Sequence, residues 1–251
     1  GPGEMQGPEA IVIHHDTVVV AESMGGVVHL YGLDGSFIAD RRIGAEDCAI
    51  SVVIDLVTTP AGLAVLLGCF DHPMAPSAKV VLEREGSTSV LADLSAQHSD
   101  RGVDPFFSPV VAAHLGGVLA GVAGSDCLAV YDFFGSVSEE ICHEWISRVV
   151  PSEADQQALE VLSAQATAMG FDLDAYDRLP GFDRVFVDAA GRVVYRGVAG
   201  GTPEQFRAVT ERPTGQEEAL PIPLAEYLFV RGDRVLLGWD ELDGTRLSLR
   251  S

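Results

Sequence analysis

The chain has a single lysine, Lys79, among 251 residues, and its 16 basic side chains face 37 acidic ones for a formal net charge of −21. A surface that acidic repels phosphates, which disfavours nucleic acid or an anionic membrane surface as a partner. No apolar run reaches the roughly 18 residues that a membrane span needs, so no span is expected. Other absences are local. The four cysteines fall in no C-x-x-C spacing, no H-x-H or H-x-x-x-H pair occurs, and no G-x-S-x-G elbow or phosphate-loop lysine follows Gly25-Gly26 or Gly200-Gly201. These gaps remove the short signatures of a zinc site, an activated serine and a nucleotide cradle. We expect no resident metal and no cofactor. Gly1-Pro2-Gly3 reads as the scar of a cleaved tag, so a native leader is not legible.

What the chain has in quantity is strand. Hydrophobic residues make up 47% of it, ample for a core, and they alternate with polar ones between short turns. Segments 27–37, 79–89 and 128–137 share one shape, a strand, a turn and a returning strand, with turn glycines at 35, 86 and 135. Such turns favour residues that tolerate positive φ. A first series of turns falls near 16, 61, 116, 190 and 232, and the second series continues to Gly215. A repeat of roughly 40–50 residues in an all-strand chain marks the blade of a β-propeller. The expectation is therefore an all-β propeller of five blades, the last with three strands of its own. Residues 4–9 make a poor strand to complete it. A β-sandwich or an open solenoid is the structural rival, but neither needs this period.

The pattern breaks over 145–180. Ser152 stands where a helix cap belongs, Glu153 and Asp155 follow in the first turn, and Gly170 ends the run. We expect a helical insertion between blades three and four of one domain spanning 10–251, residues 1–9 being tag remnant and loose N-terminus. Its Leu159, Leu162 and Ala166 share a helical face and would lie across the propeller mouth.

The passage 179–193, Leu-Pro-Gly-Phe-Asp-Arg-Val-Phe-Val-Asp-Ala-Ala-Gly-Arg-Val, resembles the LP-x-F…VD-x-x-GR stretch of bacterial six-bladed, NHL-like β-propeller proteins. Residues 234–243 are similar to their closing blade. The resemblance implies the propeller fold, export to the periplasm or beyond (lipid anchoring through a removed N-terminus included) and a binding role. It carries over no catalytic residue, and its six blades contrast with the five counted here.

Candidate chemistry is sparse. His14 and His15 sit on one strand, where alternate side chains face opposite ways. A ligand site at the tunnel mouth would draw on His14, Asp55, His114, Asp183, Arg184 and Glu226, all on or beside first strands. The reading is a binding module for a small molecule, a peptide or another protein. A propeller enzyme (a metal-assisted lyase, hydrolase or cyclase) and a purely structural scaffold are the alternatives. Asp172, Asp174 and Asp177 lack the glycine and terminal glutamate of a calcium loop. Aromatic residues at 106–107, 133–134, 145, 171, 176 and 182 cluster around loops and the insert. Cys127 and Cys142 are equidistant from a turn centred between Phe134 and Gly135, so an ungapped hairpin places them opposite one another, in reach of a disulfide. A turn at Pro60-Ala61 leaves Cys48 four positions short of opposing Cys69, and a bond there is expected less.

Overall fold

The run Gly62–Cys69 is apolar almost throughout, without the alternation of a half-exposed strand, and every residue after Leu63's neighbour Gly62 is buried. A continuous apolar strand has to be covered on both faces, and this one is. The computed structural model describes residues 7–22, 25–69, 77–94, 108–123, 125 and 127–142, six positions between 153 and 164, and residues 182–188 and 191–197. Of 205–209, 217–219, 227–231, 234–241 and 244–250 it describes the backbone.

The chain divides into two compact units, 1–142 and 143–251. In the first, three antiparallel four-stranded sheets follow one another, each with its strands in sequence order. The first sheet is β1 (Pro8–His14), β2 (Thr17–Glu22), β3 (Val27–Gly32) and β4 (Phe37–Arg42). The second is β5 (Ser51–Thr59), β6 (Gly62–Cys69), β7 (Ser77–Arg84) and β8 (Ser87–Asp93), and the third is β9 (Pro109–His114), β10 (Gly117–Val122), β11 (Leu128–Tyr131) and β12 (Val137–Ile141). The opening strand includes Pro8 and Glu9, with Pro8 opposite Glu22, so the chain enters the sheet earlier than the sequence suggests.

Side-chain parity explains the stacking. Leu63, Val65, Leu67 and Val81 pack with Val19, Ala21, Val28 and Leu30 of the first sheet. Ala64, Leu66, Val80 and Leu82 pack on the opposite side with Val111, Val118, Ala120 and Tyr131 of the third. The middle sheet is thus the filling between two others, at about 1.5–3 kcal/mol for each fully buried large aliphatic side chain.

In the second unit, β13 (Phe182–Val187), β14 (Val193–Gly197), β15 (Gln205–Val209) and β16 (Glu217–Ala219) form a four-stranded sheet. β17 (Tyr227–Arg231), β18 (Arg234–Glu241) and β19 (Gly244–Arg250) form a three-stranded one. Phe182 is fully buried there and meets Tyr195 edge-on, with ring centroids 6.4 Å apart.

Four-stranded antiparallel sheets repeating in chain order are blades, and the fold class is a β-propeller. The repeated turns are of two kinds. In β3–β4 and β11–β12, backbone bonds Gly32–Ser36 and Asp132–Ser136 close a wide turn, with Gly35 at φ 81° and Gly135 at φ 88°. Asp34 Oδ1 accepts from the Ser36 N–H at 3.0 Å, and Asp132 Oδ1 accepts from the N–H groups of Phe134 and Ser136 at 2.8 and 2.9 Å. Between β7 and β8 only Glu85 and Gly86 intervene, at φ 50° and 89°, a two-residue hairpin with both centres left-handed. The Val-Asp-x-x-Gly-Arg motif is the wide turn again: Asp188 accepts from the Arg192 N–H at 2.8 Å and its Nε–H at 2.7 Å, with Gly191 at φ 82°. Its residues are occupied in holding a turn.

Of the insertion, Glu153, Gln156, Gln157, Glu160, Val161 and Ala164 are helical and exposed, spaced as one solvent face of a helix. Leu159, Leu162 and Ala166 lie outside the described residues.

Both cysteine pairs are bonded. Cys127 and Cys142 join with Cα atoms 4.2 Å apart, and Cys48 and Cys69 with Cα atoms 5.2 Å apart. The second bond corrects the lower expectation for it. Cys69 is opposed by Ser51 in the ladder, and Cys48 belongs to the connection before β5, where a turn closed by Cys48 N–H on Ala45 O at 3.1 Å swings it back. Hairpin arithmetic does not apply to a residue outside the hairpin.

Candidate functional site

Each first strand of the three-sheet unit ends at its hairpin on an equivalent residue. His14 pairs with Thr17, Thr59 with Gly62 and His114 with Gly117. His14 and His114 are half-buried. Thr59 is fully used within its turn, donating from Oγ1 to Gly62 O at 2.9 Å and accepting from Ala61 N–H at 3.2 Å. His114 Nδ1 accepts from the Gly116 N–H at 3.3 Å, which leaves Nε2 as the donor of the ring. His14 is pushed below the ordinary imidazole range by burial and then by neighbouring His15, with the Glu83 carboxylate pulling the other way. It is therefore a neutral donor and acceptor at neutral pH.

His15 does not continue the strand. Its φ of 52° puts it in the turn, and its ring stands 4.3 Å from that of His14, tilted by 55°. The expectation that the two rings face opposite ways fails because strand alternation stops at His14.

The other candidate residues are placed differently. Asp55 lies in mid-strand beside a register shift, and its Oδ1 accepts from the Leu56 N–H at 2.8 Å. It is four residues short of the strand end. Arg184 is exposed near the opening of β13, and Asp183 precedes it on that strand. The side chain of Asp183, and Glu226 altogether, lie outside the described residues, as do the acids at 172, 174 and 177. His14 and His114 thus share a register position in their sheets, whereas Asp55 and Arg184 do not. Of the named aromatic residues, Phe133 is partly buried against the core and Phe134 is 88% exposed. Among the described residues no three or more His, Cys, Asp or Glu side chains gather as a metal site would need.

Three charge clusters, each built on one buried side chain, escaped the sequence reading. Lys79, Val81 and Glu83 alternate on β7 and point toward the first sheet. Glu83 Oε1 accepts from Arg41 Nη1 at 2.8 Å and from Gly86 N–H at 2.7 Å. Lys79 donates to Asp47 and stands 3.3 Å from Asp93 Oδ2. Burial lowers the Lys79 pKa, but the hydrogen bonds and charges of Asp47 and Asp93 outweigh it and leave a net rise. In the first sheet His29, 4% exposed, directly opposes Asp40, with Nδ1 2.6 Å from Asp40 Oδ1. Its Nε2 is 3.1 Å from Glu22 Oε1 but is not aligned for a hydrogen bond. For the two clusters on β7 the signal that could have found them is period-two spacing, which sets Lys79 and Glu83 on the same face as Val81.

No protein-family model matches the chain, and no curated protein matches it. Solved structures do. A gluconolactonase from Xanthomonas campestris aligns at TM-score 0.50 and 13% identity over 97% of this chain and 72% of its own. The tricorn protease aligns at TM-score 0.53 and 12% identity over 98% of this chain and 21% of its own. Virginiamycin B lyase from Staphylococcus aureus aligns at TM-score 0.45 and 10% identity over 99% of this chain and 71% of its own. At these identities the likeness concerns fold alone. Among the described residues no helix is long and apolar enough to cross a membrane.

Proposed function

We propose that the chain is an exported, NHL-like β-propeller that binds a small molecule or peptide where its first strands end. The reading keeps residues 10–251 as one propeller domain of five blades. The observation that carries it is the recurrence of a half-buried histidine at the same register position, His14 and His114, in two sheets of one unit. The His14 imidazole, held below its ordinary range by burial, is neutral at neutral pH and suits polar, uncharged ligand groups, and strand ends joined by loops are where scaffolds of this kind carry binding residues. Two disulfides support export, because such bonds persist in oxidising compartments.

A thermal-shift screen against a metabolite and peptide library, followed by calorimetry on His14→Ala and His114→Ala, tests this. A hit whose affinity falls about tenfold, or 1.4 kcal/mol, in either variant supports the site. Unchanged affinity in both removes it, and turnover of a hit replaces the binding module by the propeller-enzyme reading.

A further inference from the structure

Phe134, Leu115 and Leu33 are 88%, 80% and 61% exposed, the three most exposed large apolar side chains among the described residues. All three sit on hairpin turns at one end of their sheets. In a four-stranded antiparallel sheet with its strands in sequence order, the first and third turns share an end. Leu33 therefore lies at the His14–Thr17 end of the first sheet, and Leu115 and Phe134 lie on two turns at the matching end of the third. These ends face the same way. Arg84 Nη2, at the matching end of the middle sheet, donates to Phe133 O at 3.0 Å, and Glu83 beside it acts on His14 of the first sheet. Local structure does not ask for large apolar side chains here, since turns favour small and polar residues. The turn closed by Asp132 is closed in the same way by Asp188, where the sequence has Ala190 in the place of Phe134. The turns at this end also carry three exposed carboxylates, Asp16, Asp34 and Glu85, and no lysine or arginine.

We propose that this end of the three-sheet unit docks a cationic peptide segment that carries apolar side chains. The inference names the class of partner for the strand-end site proposed above, and it rests on that reading for its location. Adjacent sheets pack about 10 Å apart, so the apolar tips of the first and third sheets stand about 20 Å apart, the length of about six residues of extended chain. A small molecule does not bridge that span, and a peptide does. Apolar side chains of the peptide cover Leu33 at one end and Leu115 with Phe134 at the other, as exposed apolar residues at an interface require. Its basic groups meet Asp16, Asp34 and Glu85, and the neutral His14 is left to hydrogen-bond the peptide backbone. The net charge of −21 steers a cation to this surface and repels a second copy of the chain from it.

A phage-displayed library of random peptides of about twelve residues, twice the span to be bridged, is selected on the full chain, and the peptides it yields are measured by fluorescence anisotropy. Enriched sequences are expected to combine Lys or Arg with Leu, Ile or Phe. Leu33→Ser/Leu115→Ser/Phe134→Ser should weaken the best of them more than about tenfold and leave the melting temperature unchanged, because all three side chains are exposed. Asp16→Asn/Glu85→Gln should weaken it less and flatten its dependence on salt. Loss of binding in the serine variant, with His14→Ala and His114→Ala unaffected, supports the apolar tips even as it removes the histidine site. Loss in the histidine variants with the serine variant unaffected keeps that site and overturns the inference. Enrichment of neutral or acidic peptides, or of none, also overturns it. So does equal binding of a charge-matched peptide in which serine replaces each apolar residue.

Discussion

The two disulfides close loops of similar size, 21 and 15 residues, yet they fasten different things. Cys127–Cys142 lies one step beyond the Leu128–Ile141 pair of the β11–β12 ladder, so it repeats a register that backbone hydrogen bonds already set. Cys48–Cys69 fastens an irregular connection, in which no ladder places Cys48, to a buried strand end. A bond of the first kind adds stability to a geometry fixed by other means. A bond of the second kind specifies the geometry itself.

Removing either pair is the largest test of that contrast. Chain-entropy arguments give about 3 kcal/mol for loops of this size and depend only weakly on length, so Cys48→Ala/Cys69→Ala and Cys127→Ala/Cys142→Ala should lower global stability nearly equally in urea melts. Hydrogen exchange should separate them. The Ile43 and Cys48-position amides lose protection in the first variant, while the Leu128–Tyr131 strand keeps its protection in the second. Matching local losses would erase the distinction.

Glycine contacts sharpen the contrast on the sheet side. A Cβ at Gly117 would stand 2.0 Å from Tyr131 O, and one at Gly62, with φ +145°, would stand 2.2 Å from Glu83 O. Alanine at either position should cost about 1–3 kcal/mol by overpacking, measurable by thermal melts. Gly62→Ala also places a side chain at φ +145°, so it should cost the more of the two. Asp132→Ala, which strips two N–H groups of their acceptor, should cost about 1 kcal/mol in the same melts.

The smallest expected effect is a pH dependence. The hydrogen bond from Lys79, followed by the Asp47 backbone and, behind an opposing push from desolvation, the Lys79 charge, holds the Asp47 carboxyl below its ordinary 3.8, with Asp93 also opposing. A carboxylate depressed in the folded state stabilises above the unfolded pKa and loses that contribution as pH falls through the folded one. The tie over Lys79 is therefore intact at neutral pH and released only in acid below 3.8. Carbon-13 titration should place the Asp47 midpoint below that value, and Lys79→Gln should bring it back up. A midpoint that Lys79→Gln does not move would remove Lys79 as the cause of the depression.

Much of this protein is local and therefore written in the chain. Alternation, turn glycines and a period of about fifty residues specify blades because each hairpin satisfies its own backbone and buries a face readable two residues at a time. Even the Cys127–Cys142 pairing is legible, although by compensation. The turn is centred on Phe134, half a residue earlier than its composition suggests, and the register shift beside Val130 restores the offset. Tertiary structure decided the rest. His15 left the strand by one backbone rotation, which no side-chain pattern encodes. The wide connection at 43–50 folded Cys48 back onto Cys69, and stacking turned Lys79 and Glu83 inward to charges contributed from the first sheet and its connection. Asp47 and Arg41 are 32 and 42 residues away along the chain, unlike Asp93, which opposes Lys79 across their own hairpin, and sequence spacing carries no information about which distant charge a buried one will meet.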